Sequence, residues 1–125
     1  MSIGLVSELM TMVASLGGGT VGTNLFGLTL PVSPVVCTVV QLYDGPFVAS
    51  NPTHQVGFSI IHRNTHIDSG LTLVSSIHAT LRDVSNLLPS ITGRIEAVNV
   101  PNGYVYDDQN KWAYFPLRFV LTSTH

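Results

Sequence analysis

The sequence predicts an α+β domain: a mostly antiparallel sheet of about five strands with two helices packed on one face. Three observations lead there. Apolar residues recur every three or four positions in two segments and alternate with polar ones in several others. The segments follow one another as α-β-β-β-α-β-β, without the strict alternation of a parallel α/β sheet. At 125 residues the chain is expected to be one domain, 1–125, large enough to bury a single core.

The first helix is expected over about 3–15. "SIGLVSELMTMVASLGGG" spaces Ile3, Leu5, Val6, Leu9, Met10, Val13 and Leu16 helically, and Gly17, Gly18 and Gly19 stop it. Met12 and Met10 fit as core fillers. "TNLFGLTLP" then predicts a strand with Phe26, Leu28 and Leu30 on one side, ended by Pro31. "PVVCTVVQLYDG" is rich in β-branched residues and predicts a second strand, closed by the turn dipeptide Asp44-Gly45. The segment 44–54 holds two prolines with Asn and Ser, so it is expected to be a loop.

"HQVGFSIIHR" alternates, with Val56, Phe58 and Ile60 facing one way and Gln55, Ser59 and Arg63 the other. From Ile67 the period lengthens to three and four through Leu71, Val74, Ile77, Leu81, Val84 and Leu88, predicting a helix over about 66–87. Thr65 and Asp68 have the spacing of a capping box, and Pro89 marks the end. "GRIEAVNVP" predicts a short strand. The last strand, "WAYFPLRFVLT", sets Ala113, Phe115, Leu117, Phe119 and Leu121 on one face and Tyr114, Arg118 and Thr122 on the other. Pro116 has no N–H to donate, which predicts a sheet edge or a bulge there.

Composition narrows the function. Only 10% of residues are charged, against roughly 25% in ordinary soluble domains. Interface cores are depleted in Lys, Glu and Asp, so the deficit predicts a surface covered by partners. With 5 Lys and Arg in all and a net charge of −2, the chain is a poor free-standing nucleic-acid binder. Apolar runs break well short of the roughly 18 residues of a membrane span, and no membrane partner is expected. The start lacks the basic region of a signal peptide and carries Glu8. Cys37 is single, which excludes an intrachain disulfide and favours folding inside the cell.

Residues that carry chemistry are sparse. His62, His66 and Asp68 form the best metal-like group, but a strand-to-helix junction separates the two histidines, so no metal is expected. His78 falls on the apolar side of the second helix, as a core or rim histidine. Cys37 lies in a β-branched run, as a buried, inert thiol. Gly17 to Gly19 follow no strand and precede no Lys-Ser or Lys-Thr, which excludes a phosphate loop. The chain is not expected to be an enzyme or to hold a cofactor. What remains is "YVYDDQNKWAY", a charged turn of Asp107, Asp108 and Lys111 flanked by Tyr104, Tyr106, Trp112 and Tyr114. Aromatic residues with polar handles beside a charged turn suit a contact surface.

In order along the chain, these features resemble the small tail terminator, or tail completion, proteins of long-tailed bacteriophages, grouped with minor capsid proteins. The resemblance rests on the N-terminal helix with its glycine break, "TNLFGLTLP", "PVVCTVVQLYDG" and the proline-rich loop. It continues through "HQVGFSIIHR" running into a long helix, and "VPNGYVYDDQNKWAYFPLRFVLT". It implies a structural virion protein that forms a ring, commonly a hexamer, on the last ring of the tail tube. Its partners would be further copies of itself, the tail tube protein and a head connector or head completion protein. Phage DNA would pass through the lumen without sequence recognition. The location implied is the head–tail junction of the virion, after assembly in the host cytoplasm.

The resemblance assigns no residue a role, so the contact candidates come from the residues themselves. They are Asp107, Asp108, Lys111, Trp112 and Tyr114, the loop 44–54, and Arg63 with Arg118. If their strands pair, these two arginines line a channel, cross a subunit boundary, or are ordinary surface residues. Two alternatives stay open: another neck adaptor or tube subunit, or a small α+β binding domain or enzyme with a site near His62 and His66.

Overall fold

A computed structural model describes residues 2–27, 29–31, 34–43, 53–85, 93–99 and 104–124. In chain order the elements are α1 (Ser2–Ser15), β1 (Leu25–Gly27), β2 (Cys37–Tyr43), β3 (Thr53–Asn64) and α2 (Ile67–Leu81). They continue as β4 (Asp83–Ser85), β5 (Gly93–Ala97), β6 (Val105–Asp107) and β7 (Trp112–Thr124). The strands form one seven-stranded sheet in the order β1-β2-β3-β7-β5-β4, with β6 also paired to β7. All pairings are antiparallel except β1 with β2. The α+β class is as expected, with two more strands than the five predicted.

The core lies between the helices and one face of the sheet. Phe58 and Ile60 of β3 meet Phe115, Leu117 and Phe119 of β7, all fully buried. Val74, Ile77 and Leu81 of α2 and Leu9 and Val13 of α1 close over them. Phe58 and Phe119 stack with ring centroids 5.2 Å apart. The alternation expected of β3 and β7 is the one observed.

α1 stops as its glycines demand. Gly17 sits at φ +88°, its N–H donates to the Ala14 carbonyl (3.1 Å), and the Gly18 N–H donates to Val13 (2.9 Å). This is a Schellman ending, which satisfies carbonyls that the helix would otherwise leave open. β1 is shorter than expected and inverted in phase. Leu25, not Phe26, is the fully buried residue, and Leu28 lies outside the described residues. The preceding turn explains the inversion, because the Thr20 carbonyl accepts the N–H groups of Thr23, Asn24 and Leu25 and so sets how the strand enters.

α2 ends at Leu81, about six residues early. Val84 continues the apolar spacing but belongs to β4, where it opposes Ile95. A strand's inward residue and a helix's next apolar position coincide there, so periodicity alone cannot separate them. Leu88 lies outside the described residues. The capping box is also absent. The N-cap is His66, which makes no side-chain cap bond, and its N–H donates to Asn64 Oδ1 (2.9 Å). Thr65 Oγ1 instead meets His66 Nδ1.

Pro116 lies inside β7, paired with β3 on one side and facing an interval without a strand partner on the other, a local edge within the sheet. Opposite Ile61 of β3 it keeps full register. A strand residue directs its N and its carbonyl to the same side. The Pro116 carbonyl points away from β3, so the missing N–H falls between β6, which pairs with residues 112–114, and β5, which pairs with 119–123. Asn99 fills that interval, its Nδ2 donating to the Pro116 carbonyl (3.0 Å) and its Oδ1 accepting the Arg118 N–H (2.7 Å). One side-chain amide thus replaces a peptide group of the absent neighbour. Asn99→Ala is expected to cost about 1–2 kcal/mol, and Asn99→Asp less, since it keeps the acceptor. Thermal melts of the two variants check the ranking.

Candidate functional surface

The hairpin that joins β6 to β7 is held by its own first residue. Asp107 Oδ1 accepts the N–H groups of Gln109 (3.0 Å) and Asn110 (3.1 Å), and Oδ2 accepts Asn110 Nδ2 (2.7 Å). These bonds, the Asn110 side chain foremost, hold the Asp107 carboxyl below the usual aspartate range. The Lys111 N–H closes the loop on the Asp107 carbonyl (2.8 Å), and Lys111 adopts φ 62°. Asp107 is therefore a turn-forming residue. Asp108 and Lys111 are exposed and present opposite charges to the solvent.

Trp112 and Tyr114 stand on the sheet face opposite the helices. Trp112 Nε1 donates to Tyr114 Oη (2.9 Å), and the rings meet edge to face at 6.4 Å. Arg63 faces Tyr114 across the β3–β7 ladder, while Arg118 faces Ser59. The two arginines share a face but stand four positions apart, roughly 13 Å along a strand. They are not brought together. Arg63 is only 3% exposed, within its own chain. Its guanidinium bonds the carbonyls of Pro31, Pro34 and Val35 and lies 4.6 Å from the Trp112 ring centre. Arg118 is exposed. Of the loop 44–54, residues 44–52 lie outside those described, and β3 begins at Thr53.

His62 is a buried residue of β3, 3% exposed. Its place in a polar chain fixes its tautomer. Asn64 Oδ1 accepts the His66 N–H, so Asn64 Nδ2 is the group that points to His62 Nε2 (3.1 Å). Nε2 must accept, hence Nδ1 carries the proton and donates to Thr38 Oγ1 (2.9 Å). Burial pushes the His62 pKa down to about 4, against a smaller opposing effect of a hydrogen bond with the Cys37 backbone. The chain Thr38–His62–Asn64–His66 links β2, β3 and the start of α2, and it is fully satisfied. His66 is exposed and turns to Thr65, so the two histidines do not converge. Among the described residues no three His, Cys, Asp or Glu side chains are grouped to hold a metal. Cys37 is buried, and burial raises its pKa despite the nearby Arg63 charge.

A feature missed in the sequence is an open groove beside the start of α2, lined by His66, Ile67, Asp68, Tyr104 and Tyr106. Tyr104 and Tyr106 are each 42% exposed, and the neighbouring Val105 is 62% exposed. The tyrosines are visible in the sequence as flanks of the charged turn. Their meeting with α2 depends on β6 joining β7, which three residues of strand cannot announce. Half-exposed aromatic rings beside a helix start and a charged hairpin form an uneven surface, more apolar than polar and too open to enclose a small molecule.

No protein-family model and no curated protein matches the chain. A solved structure does. It is a chain of the "Virion of native gene transfer agent (GTA) particle", similar over 90% of this chain and 84% of that one, with TM-score 0.52 and 16% identity. The fold is one found in a virion. At this identity the likeness is one of backbone architecture, and it extends through most of both chains. Among the described residues, no helix is long and apolar enough to cross a membrane.

Proposed function

We propose that this chain is a structural protein of a phage-like virion, which assembles as a ring at the top of the tail tube. There it ends tube polymerisation and offers the surface on which the head docks. The observation that carries the reading is the near full-length fold likeness to a chain of a gene transfer agent virion. Fold alone does not assign function, so two features of this chain support it independently. Charge is scarce over the whole sequence, at 10% of residues. The hairpin and the Tyr104–Tyr106 edge present aromatic and charged groups side by side. In this reading no substrate is turned over and no cofactor is held. Partners are further copies of the chain, a tail tube protein and a head connector.

Ring subunits meet through two different surfaces, and such contacts close only when the rotation returns to the first subunit. Arg63 is enclosed by its own chain and takes no part in lining a lumen for DNA. Arg118 keeps that possibility.

The test is electron microscopy of the purified protein alone and mixed with phage tail tubes. Closed rings, and tubes that carry a terminal cap and no longer elongate, are expected. Asp108→Lys should weaken capping while leaving the melting temperature within about 2 °C, since surface changes stay near ±0.5 kcal/mol. Protein that neither binds nor caps tubes would sink the reading. Stacking into open-ended cylinders would point instead to a tube subunit.

A further inference from the structure

We propose that Arg63 is a latch that couples the 107–112 hairpin to Pro31, Pro34 and Val35, which precede β2, so that displacing one loosens the other. The latch follows from what each partner lacks. Pro31, Pro34 and Val35 lie outside the strands, so their carbonyls have no ladder partners. Arg63 supplies them. Its Nε donates to the Val35 carbonyl (2.7 Å), and one Nη donates to Pro31 (2.6 Å) and Pro34 (3.0 Å), with Cys37 Sγ at 3.6 Å. The planar fork of donors suits several carbonyls at once, as the point charge of a lysine does not.

The other side of the same guanidinium lies against the Trp112 ring, at 4.6 Å. Trp112 closes the hairpin opposite Asp107 and is fixed in turn by its bond to Tyr114 Oη. One buried cation therefore contacts both segments. Withdrawing the ring admits water to the guanidinium, and the competing water weakens the bonds to the carbonyls. Arg63 is a positioning residue. The coupling rests on this geometry alone and stands whether or not the chain caps tail tubes.

Amide hydrogen exchange on the full chain tests it. Trp112→Leu should speed exchange of the amide of Cys37, which pairs with Arg63 at the start of β2, by about tenfold, though Cys37 does not touch the hairpin turn. The Ile95 and Glu96 amides of β5 should keep their rates. In the reverse direction, Arg63→Lys should speed exchange at Lys111, whose N–H closes the turn on Asp107. It should also shift the emission of Trp112, the sole tryptophan. An unchanged rate at Cys37 in Trp112→Leu, or an equal rise in β5, would overturn the latch. If Arg63→Lys fails to fold, the Trp112→Leu result decides by itself.

Discussion

Phe115→Ala should destabilise the protein by about 3–5 kcal/mol, the range for emptying a buried phenylalanine site. In a domain of this size that lowers the melting temperature by on the order of 10–20 °C. Phe115 is fully buried on β7, and its ring is shared. His62 lies 6.0 Å away and Tyr104 5.6 Å away, while α2 rests its backbone directly on the ring at Gly70. A Cβ on Gly70 would overlap the Phe115 ring atoms. Gly70→Ala therefore sets two effects against each other. Alanine favours the helix by about 1 kcal/mol, but overpacking a fixed core costs about 1–3 kcal/mol. The ring is enclosed on all sides and cannot give way, so overpacking wins and the variant is expected to be less stable. Combining Gly70→Ala with Phe115→Leu should recover part of that loss, because the smaller side chain vacates the space. Denaturant titrations of the four proteins form the cycle. A coupling of about 0.5–3 kcal/mol is expected between contacting residues, and strict additivity would show that the helix does not sit on the ring.

That helix-on-ring contact marks the limit of what the letters disclose. Gly70 opens a helix whose other apolar positions are plain, and nothing in "IDSGLTL" says that a strand 45 residues later will press an aromatic ring against it. The long strands were legible because alternation over ten or more residues admits one phase only. β1 was not, since three residues carry no periodicity and the preceding Thr20–Asn24 turn decides which of them enters the core. Pro116 was legible only in part, for a related reason. Its missing N–H excludes a continuous ladder on one side, and a sheet edge is the commonest way to meet that condition. Here β5 and β6 divide the neighbouring position and Asn99 spans the interval, a solution that requires knowing where three separate segments end.

The candidate surface divides in the same way. The turn at Asp107–Lys111 was legible from Asp, Asn and Lys in one short run, because the side-chain bonds that close it are local. The placement of Arg63 was not. Alternation put it correctly on the face away from the helices, but that it would be enclosed there depends on carbonyls about thirty residues earlier. His62 shows the same limit on the inner face. Its partners Thr38 and Asn64 come from a neighbouring strand and from the next inward position of its own.

His62 also governs the expected response to acid. In the unfolded chain it titrates near 6.5, and in the fold burial holds it near 4. Above pH 6.5 both states leave it neutral, and it contributes no pH dependence. As the pH falls from 6.5 the unfolded state takes up the proton and the folded state does not. Each unit then removes about 1.4 kcal/mol of stability, until the folded pKa is reached. The total is ~3 kcal/mol lost between pH 6.5 and 4. The lowered aspartates, Asp83 and Asp107, act in a separate window, since their contribution disappears only as the pH falls below about 3.8. Geometry says what fails when the proton arrives. A proton on Nε2 points at the Asn64 Nδ2 donor, and turning that amide to accept it removes the acceptor of the His66 N–H at the start of α2. Melting temperature followed from pH 7 to 4.5 should fall steeply in the wild type. In His62→Gln it should start lower, because burial leaves a cavity, and then stay nearly level. A wild-type profile as flat as that of His62→Gln, or a His62 ring proton titrating near 6.5 by NMR, would show that water reaches the imidazole and that the Thr38–His62–Asn64 chain does not hold in solution.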